Sequence, residues 1–369
     1  MSSPNYTSRR SRIQRQLKSL QVDAFLISGL SNVRYLTGFT GDSSWLLLTS
    51  NSVLLISDTR YETQLADECD GLPVVIRDAS RNLIDAAADA VIDSGASRLG
   101  FEADQTSVSI FRTLEQRLSG RELTALNGVV ERFREIKDKW ELEQIRKAIH
   151  FAERGYYVVR SMLRRNQTEK EIRYLLEEAM RSFGASGPGF EPIIGVGPTA
   201  ALPHAHAGDR PVRENSLLLM DWGAATETGY RSDLTRVLFT DKPTRQMYDV
   251  YRTVLEAQRL AIEAIRPGAK CSEVDAIARG YIQDAGYGKY FGHGLGHGFG
   301  LDIHESLRMS PLSTQVFEPG MVITVEPGIY LPGKFGVRIE DDILVTAEGN
   351  EVLTTVPRDF ESARLGFLE

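Results

Sequence analysis

The stretch Phe291–Glu305, FGHGLGHGFGLDIHE, packs three of the chain's six histidines, His293, His297 and His304, into a glycine-rich run. Each interior glycine costs a helix about 1 kcal/mol relative to alanine, so the run reads as a loop or irregular strand that lets imidazoles approach a ligand closely. A phosphate-cradling loop would need a strand before it and a helix after it. Here YGKYF precedes, and GLDIHE, which reads as a strand, follows. The other bland reading is a solvated turn. Cation chemistry is favoured by acids that punctuate apolar strands elsewhere. Asp221 ends LLLM, Asp233 opens the strand SDLTRVLFT, Glu326 ends VITV, and Glu340 sits in VRIEDDILV on the same face as Arg338. A carboxylate buried in such a strand is costly unless paired or metal-bound. Asp221 and Asp233 alone would also fit two exposed turn acids. Four carboxylates with one imidazole make an oxygen-rich donor set suited to Mn²⁺, Co²⁺, Fe²⁺ or Zn²⁺. Such a set can bridge two ions about 3.5–4 Å apart and make water nucleophilic at neutral pH, with no serine or cysteine required.

The elements that must carry these residues fall into two groups, as expected for 369 residues. Residues 8–128 alternate short elements in an α/β module with a mixed sheet. A basic amphipathic helix with Ile13, Leu17 and Leu20 precedes strands over 23–28, 32–39, 44–50, 52–58, 73–78 and 98–102, a last segment ELTALN, and intervening helices over 60–66, 83–92 and beyond 102. No metal-ligand cluster, nucleophile elbow or Walker loop appears in it. After residue 130 a long helix carries Leu142, Ile145, Ile149, Ala152, Tyr156, Val159 and Leu163 on one face. A second opens with the capping box Thr168–Glu171 and stops at Gly184. Strands over 216–225 and 232–240 follow. The order then recurs, with a helix over 244–265, another capped by Ser272, and strands over 321–330 and 336–346. Helix, helix, strand, strand written twice predicts two halves related by a pseudo-twofold, each giving one strand pair with two acids.

The composition is that of a soluble globular protein, with 42% hydrophobic and 25% charged residues. No apolar run reaches membrane-spanning length and the N-terminus lacks a signal-peptide core, so a cytoplasmic location and no membrane partner are expected. Two cysteines, Cys69 and Cys271, make neither a disulfide framework nor a thiolate metal site. A net charge of −7 argues against nucleic acid as a partner.

In order and context, Asp221 in MDWGA, Asp233 in YRSDLTR, His297 in GHGFGLDIHE, Glu326 in TVEPGIY and Glu340 in GVRIEDD resemble the five metal ligands of the pita-bread metallopeptidases. The Xaa-Pro branch, prolidase and aminopeptidase P, matches best, since NVRYLTGF and DTRY also resemble its creatinase-like N-terminal domain. The resemblance implies an α/β (α+β) chain, with that mixed-sheet domain over residues 1–130 and a pseudo-twofold pita-bread catalytic domain over 131–369. It implies two divalent metal ions per chain, Mn²⁺ first and Co²⁺, Zn²⁺ or Fe²⁺ next. Asp221 would chelate one, His297 and Glu326 the other, and Asp233 with Glu340 both. A bridging hydroxide would attack the Xaa-Pro bond, and Glu326 would shuttle its proton.

His204 in ALPHA, His293 in FGHG and His304 in LDIHE match the family's substrate-side histidines, and Arg338 its arginine beside the last ligand. For His204 and His304 a purely structural role is the bland alternative; His206 reads as a loop residue and His150 as an ordinary helix residue. Arg308 sits where some prolidases clamp the terminal carboxylate, although HESLR carries Leu307 where proline is usual. Dipeptidase and aminopeptidase activity both stay open. The partners implied are a proline-containing peptide and a second copy of the chain, with Trp45 or residues 58–61 near the neighbour's cleft. Methionine aminopeptidases lack an N-terminal module of this size. A creatinase-type C–N hydrolase or a protein-binding relative, the alternative reading, would not keep all five ligands.

Overall fold

Glycines, caps and apolar alternation divide the chain into two units, separated after Arg134, in a computed structural model that describes residues 3–366. The first contains α1 (Tyr6–Gln16), β1 (Ala24–Ile27), α2 (Leu30–Thr37), β2 (Trp45–Thr49), β3 (Val53–Asp58), α3 (Glu62–Glu68), β4 (Val74–Arg77), α4 (Leu83–Asp93), β5 (Arg98–Glu102), α5 (Val108–Arg117) and β6 (Glu122–Leu126), with α6 (Val129–Glu135) at the join. The sheet runs β4-β3-β2-β1-β5-β6 and is mixed, with β1–β2 and β2–β3 antiparallel and the remaining pairs parallel.

One expected strand is a helix. Residues 32–39 have β-branched and aromatic character, yet Leu30–Thr37 is α2, because Gly29 provides its N-cap and Gly38, at φ 84°, its left-handed stop. The buried carboxylate of Glu102 accepts the Ser28 and Gly29 N–H groups, both at 2.7 Å, and the Asn32 amide at 2.6 Å, which anchors that helix start. Trp45, 8% exposed, packs into this unit's own core beside Ala86 and Leu99 and is not a surface residue.

In the second unit, α7 (Lys139–Met162) and α8 (Glu169–Ser182) both begin with capping boxes, Asp138–Glu141 and Thr168–Glu171. Strands β7 (Gly187–Pro188), β8 (Ile193–Val196), β9 (Leu217–Trp222), β10 (Ala224–Ala225) and β11 (Leu234–Phe239) follow, and then α9 (Arg245–Ala264) and α10 (Cys271–Asp284). Ser272 does not cap α10. Lys270 stands at that cap, and Asp275 is buried, binding Arg279 twice at 2.8 Å and accepting the Leu295 N–H. Arg279 also donates to the Phe291 and His293 carbonyls, so α10 holds the front of the histidine run.

That run forms β12 (Gly296–His297), paired with β13 (Arg308–Met309). Residues 300–305, expected as a strand, form a turn instead. Both long strands expected near the C-terminus are interrupted at their acids. Glu326 and Pro327 separate β14 (Val322–Val325) from β15 (Gly328–Leu331), and Ile339 and Glu340 separate β16 (Phe335–Arg338) from β17 (Asp341–Val345), with β18 (Asn350–Val352) and α11 (Phe360–Ala363) completing the chain.

Strand parity decides which acids meet. In β9, Leu218, Met220 and Trp222 enter the core under α7 and α8, while Leu217 and Leu219 enter the core of α9, α10, β14 and β17. Asp221 continues the second row, and in β11 Asp233 leads the row of Val237 and Phe239, which enters that same core. Both acids therefore face the second half of the unit.

Two outcomes test this. A Cβ at Gly223 would lie 1.8 Å from the Ser232 carbonyl, so Gly223→Ala should force the β9–β11 hairpin apart and cost about 1–3 kcal/mol, read as a lower Tm in thermal denaturation; an unchanged Tm would refute the close approach. In the first unit, Arg60 and Arg77 bind the buried Asp58 carboxylate, and the Arg60 hydrogen bond leads in holding it down to about 2. Its stabilisation is therefore complete above the unfolded value of about 3.9 and lost as pH falls towards 2. Asp58→Asn should lower Tm at pH 7, with the gap to the wild type closing as pH drops through that window.

Candidate metal centre

Four acids arrive at one place from four strand ends. Asp221 lies in β9, opposite Thr235 and Ile193 on the neighbouring strands, and Asp233 immediately precedes β11. Glu326 follows β14, its N–H bonded to the Leu295 carbonyl at 2.8 Å, and Glu340 is bridged to Thr235 between β16 and β17. His297 projects from β12, its N–H donated to Thr324 Oγ1 at 3.1 Å. Ligand atoms of Asp233, His297 and Glu340 lie within 4.8 Å of one another, and all three residues are buried.

The protons tell whether a cation fits. His297 Nδ1 lies 3.2 Å from the Gly298 carbonyl, which places the ring proton there and leaves the Nε2 lone pair facing outward. That lone pair faces Glu326 Oε1 at 3.5 Å and Asp233 Oδ2 at 3.6 Å. Burial, and then His304, lower the His297 pKa to about 3, so the imidazole stays neutral. Acceptors thus converge on acceptors. Burial raises the carboxyl pKa values of Asp233 and Glu340 well above the ordinary range, and neighbouring carboxylates add to it. Burial likewise pushes Glu326 up to about 8. Asp221 Oδ1 is buried with no hydrogen-bond partner among the described residues. A buried, oxygen-rich cluster with one oriented imidazole and an orphaned oxygen is the donor set of a hard divalent cation site. Protons or cations must balance it.

A cavity of about 560 Å³ opens on this cluster, lined by all ten residues singled out in the sequence: Asp221, Asp233, His297, Glu326, Glu340, His204, His293, His304, Arg308 and Arg338. His304 is exposed, its ring 4.4 Å from that of His297, and burial, then Arg308, lower its pKa. His204 is also exposed and meets the same space. His206, read as an ordinary loop residue, also lines the rim, with its side chain 88% exposed and 3.9 Å from Glu191. His293 is tucked deeper. Its Nδ1 lies 2.7 Å from the Gly294 carbonyl and its Nε2 2.9 Å from the Tyr330 hydroxyl, and burial lowers its pKa to about 4. Tyr330 therefore donates to neutral His293 and accepts from Arg338 Nη1 at 2.7 Å. Arg338 also donates to Asp221 and to Thr235 Oγ1, whose hydroxyl lies 2.6 Å from Glu340 Oε2.

Several of these supports were not singled out in the sequence. Tyr330 and Thr235 lie within the quoted motifs TVEPGIY and SDLTR, each at the strand parity that faces the acids, but neither carries a charge to draw notice. Asp342, two residues after Glu340, accepts the Asp233 N–H at 3.2 Å from full burial. The run EDD was legible as acidic, and the period of two that sets Glu340 beside Arg338 turns Asp341 to the opposite side, where it is bound by Arg236, Arg358, Thr354 and Gln258.

Comparison with known proteins shows the family. Residues 143–347 match metallopeptidase family M24, and residues 9–136 match the creatinase/prolidase N-terminal domain. An Xaa-Pro dipeptidase of Pyrococcus horikoshii is 35% identical over 92% of this chain and 94% of its own length. The solved structure of an Xaa-Pro dipeptidase from Bacillus anthracis superposes with a TM-score of 0.91 at 36% identity, covering 96% of this chain and 99% of that one. An X-Pro aminopeptidase from Thermotoga maritima gives a TM-score of 0.86 at 37% identity, covering 94% and 99%. With over half its length matched by the catalytic family and close relatives spanning nearly all of it, the chain belongs to metallopeptidase family M24 and carries that family's creatinase/prolidase N-terminal domain.

Proposed function

We propose that the protein hydrolyses the bond between the first residue and proline in short peptides, using two divalent cations held by Asp221, Asp233, His297, Glu326 and Glu340. The observation that carries this reading is the His297 Nε2 lone pair, aimed at the Asp233 and Glu326 carboxylates within 3.6 Å in the wall of a peptide-sized cavity. Cations bound there supply Lewis acidity, which polarises a carbonyl and lowers the pKa of water to near 7. Asp221, Asp233, His297, Glu326 and Glu340 would together hold the ions. The hard donor set suits Mn²⁺ first, with Co²⁺, Zn²⁺ or Fe²⁺ as alternatives.

The protein's own residues perform the rest. His204 and His304, on the open side of the cavity, orient the scissile carbonyl and line the proline pocket. Glu326, in the cavity wall beside His297, carries the proton lost by the attacking water to the leaving nitrogen. Proline's own nitrogen, the leaving atom of this bond, has no N–H to offer, so attack that needs no substrate backbone donor suits it. Arg338 holds Asp221 against burial, and His293 stays neutral and accepts from Tyr330 beside the reacting centre.

Arg308 supports a preference for dipeptides. It lines the cavity, is exposed, and forms no ion pair among the described residues, which leaves its guanidinium available for a terminal carboxylate. Leu307 in place of proline does not disturb it. Leu307 is buried and its carbonyl accepts the Gly298 N–H at 2.9 Å, keeping Arg308 paired with His297 across the two short strands. A creatinase-type C–N hydrolase or a binding module is disfavoured by the presence of all four acids and the histidine in one cluster. The working form we take to be a homodimer in the cytoplasm; among the described residues no helix is long and apolar enough to cross a membrane.

Purified protein loaded with Mn²⁺, Co²⁺ or Zn²⁺ and offered Xaa-Pro, Xaa-Pro-Yaa and Met-Ala peptides should release the residue before proline from the first two only. About two ions per chain should be found by elemental analysis, and a chelator should abolish turnover. Cleavage of Met-Ala alone, or full activity without metal, would overturn the reading. Arg308→Ala should raise KM for Xaa-Pro dipeptides by roughly tenfold while changing tripeptides little, in line with loss of a charge-assisted pair. Equal effects on both would remove the clamp.

A further inference from the structure

The turn that carries His304 is built around a buried charge. Glu305, with its side chain 4% exposed, receives the Leu301 N–H on Oε1 at 3.1 Å, with the Asp302 N–H at 3.5 Å. Its own N–H goes to the Gly298 carbonyl at 2.8 Å. Gly300 closes the ring, since a Cβ there would fall 2.9 Å from Oε1. The carboxylate is thus the template on which residues 298–305 wrap. Its Oε2 receives Lys137 Nζ at 2.8 Å, from a side chain only 2% exposed.

Lys137 lies far from this turn in sequence, at the start of the second unit, and it is itself pinned. Its N–H bonds the Gly320 carbonyl at 2.9 Å, and Ile136 bridges to Met321. Two residues earlier, Glu135 Oε1 accepts Ser306 Oγ at 2.6 Å and Gln315 Nε2 at 3.2 Å, while Gln315 Oε1 accepts the Arg308 N–H at 2.9 Å. Residues 135–137 therefore grip the chain immediately after His304 at two points, once at Glu305 and again, through Gln315, at Arg308.

We propose that Lys137 is a positioning residue, which through Glu305 and alongside Glu135 holds His304 and Arg308 against the substrate space. A buried ammonium paired with a buried carboxylate is strongly favoured over either alone. It makes the placement of the turn depend on one distant side chain. The consequence for catalysis rests on the peptidase reading above; the consequence for the turn does not.

Lys137→Met, in the metal-loaded full-length protein, keeps the stem and removes the charge. Hydrogen exchange at the Leu301 and Asp302 amides should quicken at least tenfold. On an Xaa-Pro dipeptide kcat/KM should fall at least tenfold with metal content unchanged. Placed in a His304→Ala/Arg308→Ala background, the same change should cost less than twofold, because a residue acting through His304 and Arg308 has nothing left to position. A general loss of stability would instead cost equally in both backgrounds, and that result overturns the proposal, as does unaltered exchange over residues 298–308. If Lys137→Met does not fold, Glu305→Gln, which keeps the size of the side chain, is read by the same exchange with the same expectation. A wild type that cleaves no Xaa-Pro peptide would sink the peptidase reading, while the exchange measurement would still decide the role of Lys137.

Discussion

Mutual repulsion among buried carboxylates is the constraint on which the second unit is built. Asp221, Asp233, Glu326 and Glu340 are brought together from strands far apart in the chain, and each is taken out of water where its charge would be solvated. Such a cluster is unfavourable by itself and becomes stable when counter-charge enters. Positive charge from the protein is supplied by Arg338 and is aimed at Asp221. His297, held neutral by burial and oriented by the Gly298 carbonyl, adds a lone pair and no charge. The remaining deficit is of the sign that a divalent cation offsets.

Holding repelling groups in place requires stiff surroundings, and the surroundings are stiff in two layers. Thr235 ties Glu340 to Arg338, while Asp342 holds the backbone ahead of β11 through the Asp233 N–H. Behind them Arg236 spends its guanidinium on the carbonyls of Thr235, Glu340, Val356 and Pro357 and on the Asp341 carboxylate, locking β11, β17 and the C-terminal segment together. Burial of Asp341 opposes its ionisation, but Arg236 and Arg358 prevail and keep it charged. Adjacent acids thus take opposite parts, with Asp341 paired behind the sheet and Glu340 turned to the carboxylate cluster before it.

The open side of the cavity follows a different logic. His204, His304 and Arg308 stand on loops and a short strand with their side chains exposed to the cavity. Their precision is borrowed from buried neighbours: Asp275 and Arg279 at the front of the histidine run, Glu305 and Lys137 at its end. Rigid supports beneath exposed functional groups reconcile access with placement.

What the sequence alone determined is the inventory of chemistry and the local elements that carry it. Acids interrupting apolar strands, histidines among glycines and two capping boxes were legible because burial costs and helix-end hydrogen bonds act over a few residues. Legibility failed where a partner distant in sequence decides. Residues 32–39 have strand-like composition, yet Glu102 and two glycines make them a helix. Ser272 has the look of a cap, but Asp275 is drawn to Arg279 and Leu295. Nothing in EIKDK reveals that Lys137 reaches a turn some 170 residues on. Only the tertiary structure decided these, because the energy of a buried charge is set by what stands opposite it, and long-range packing chooses that partner.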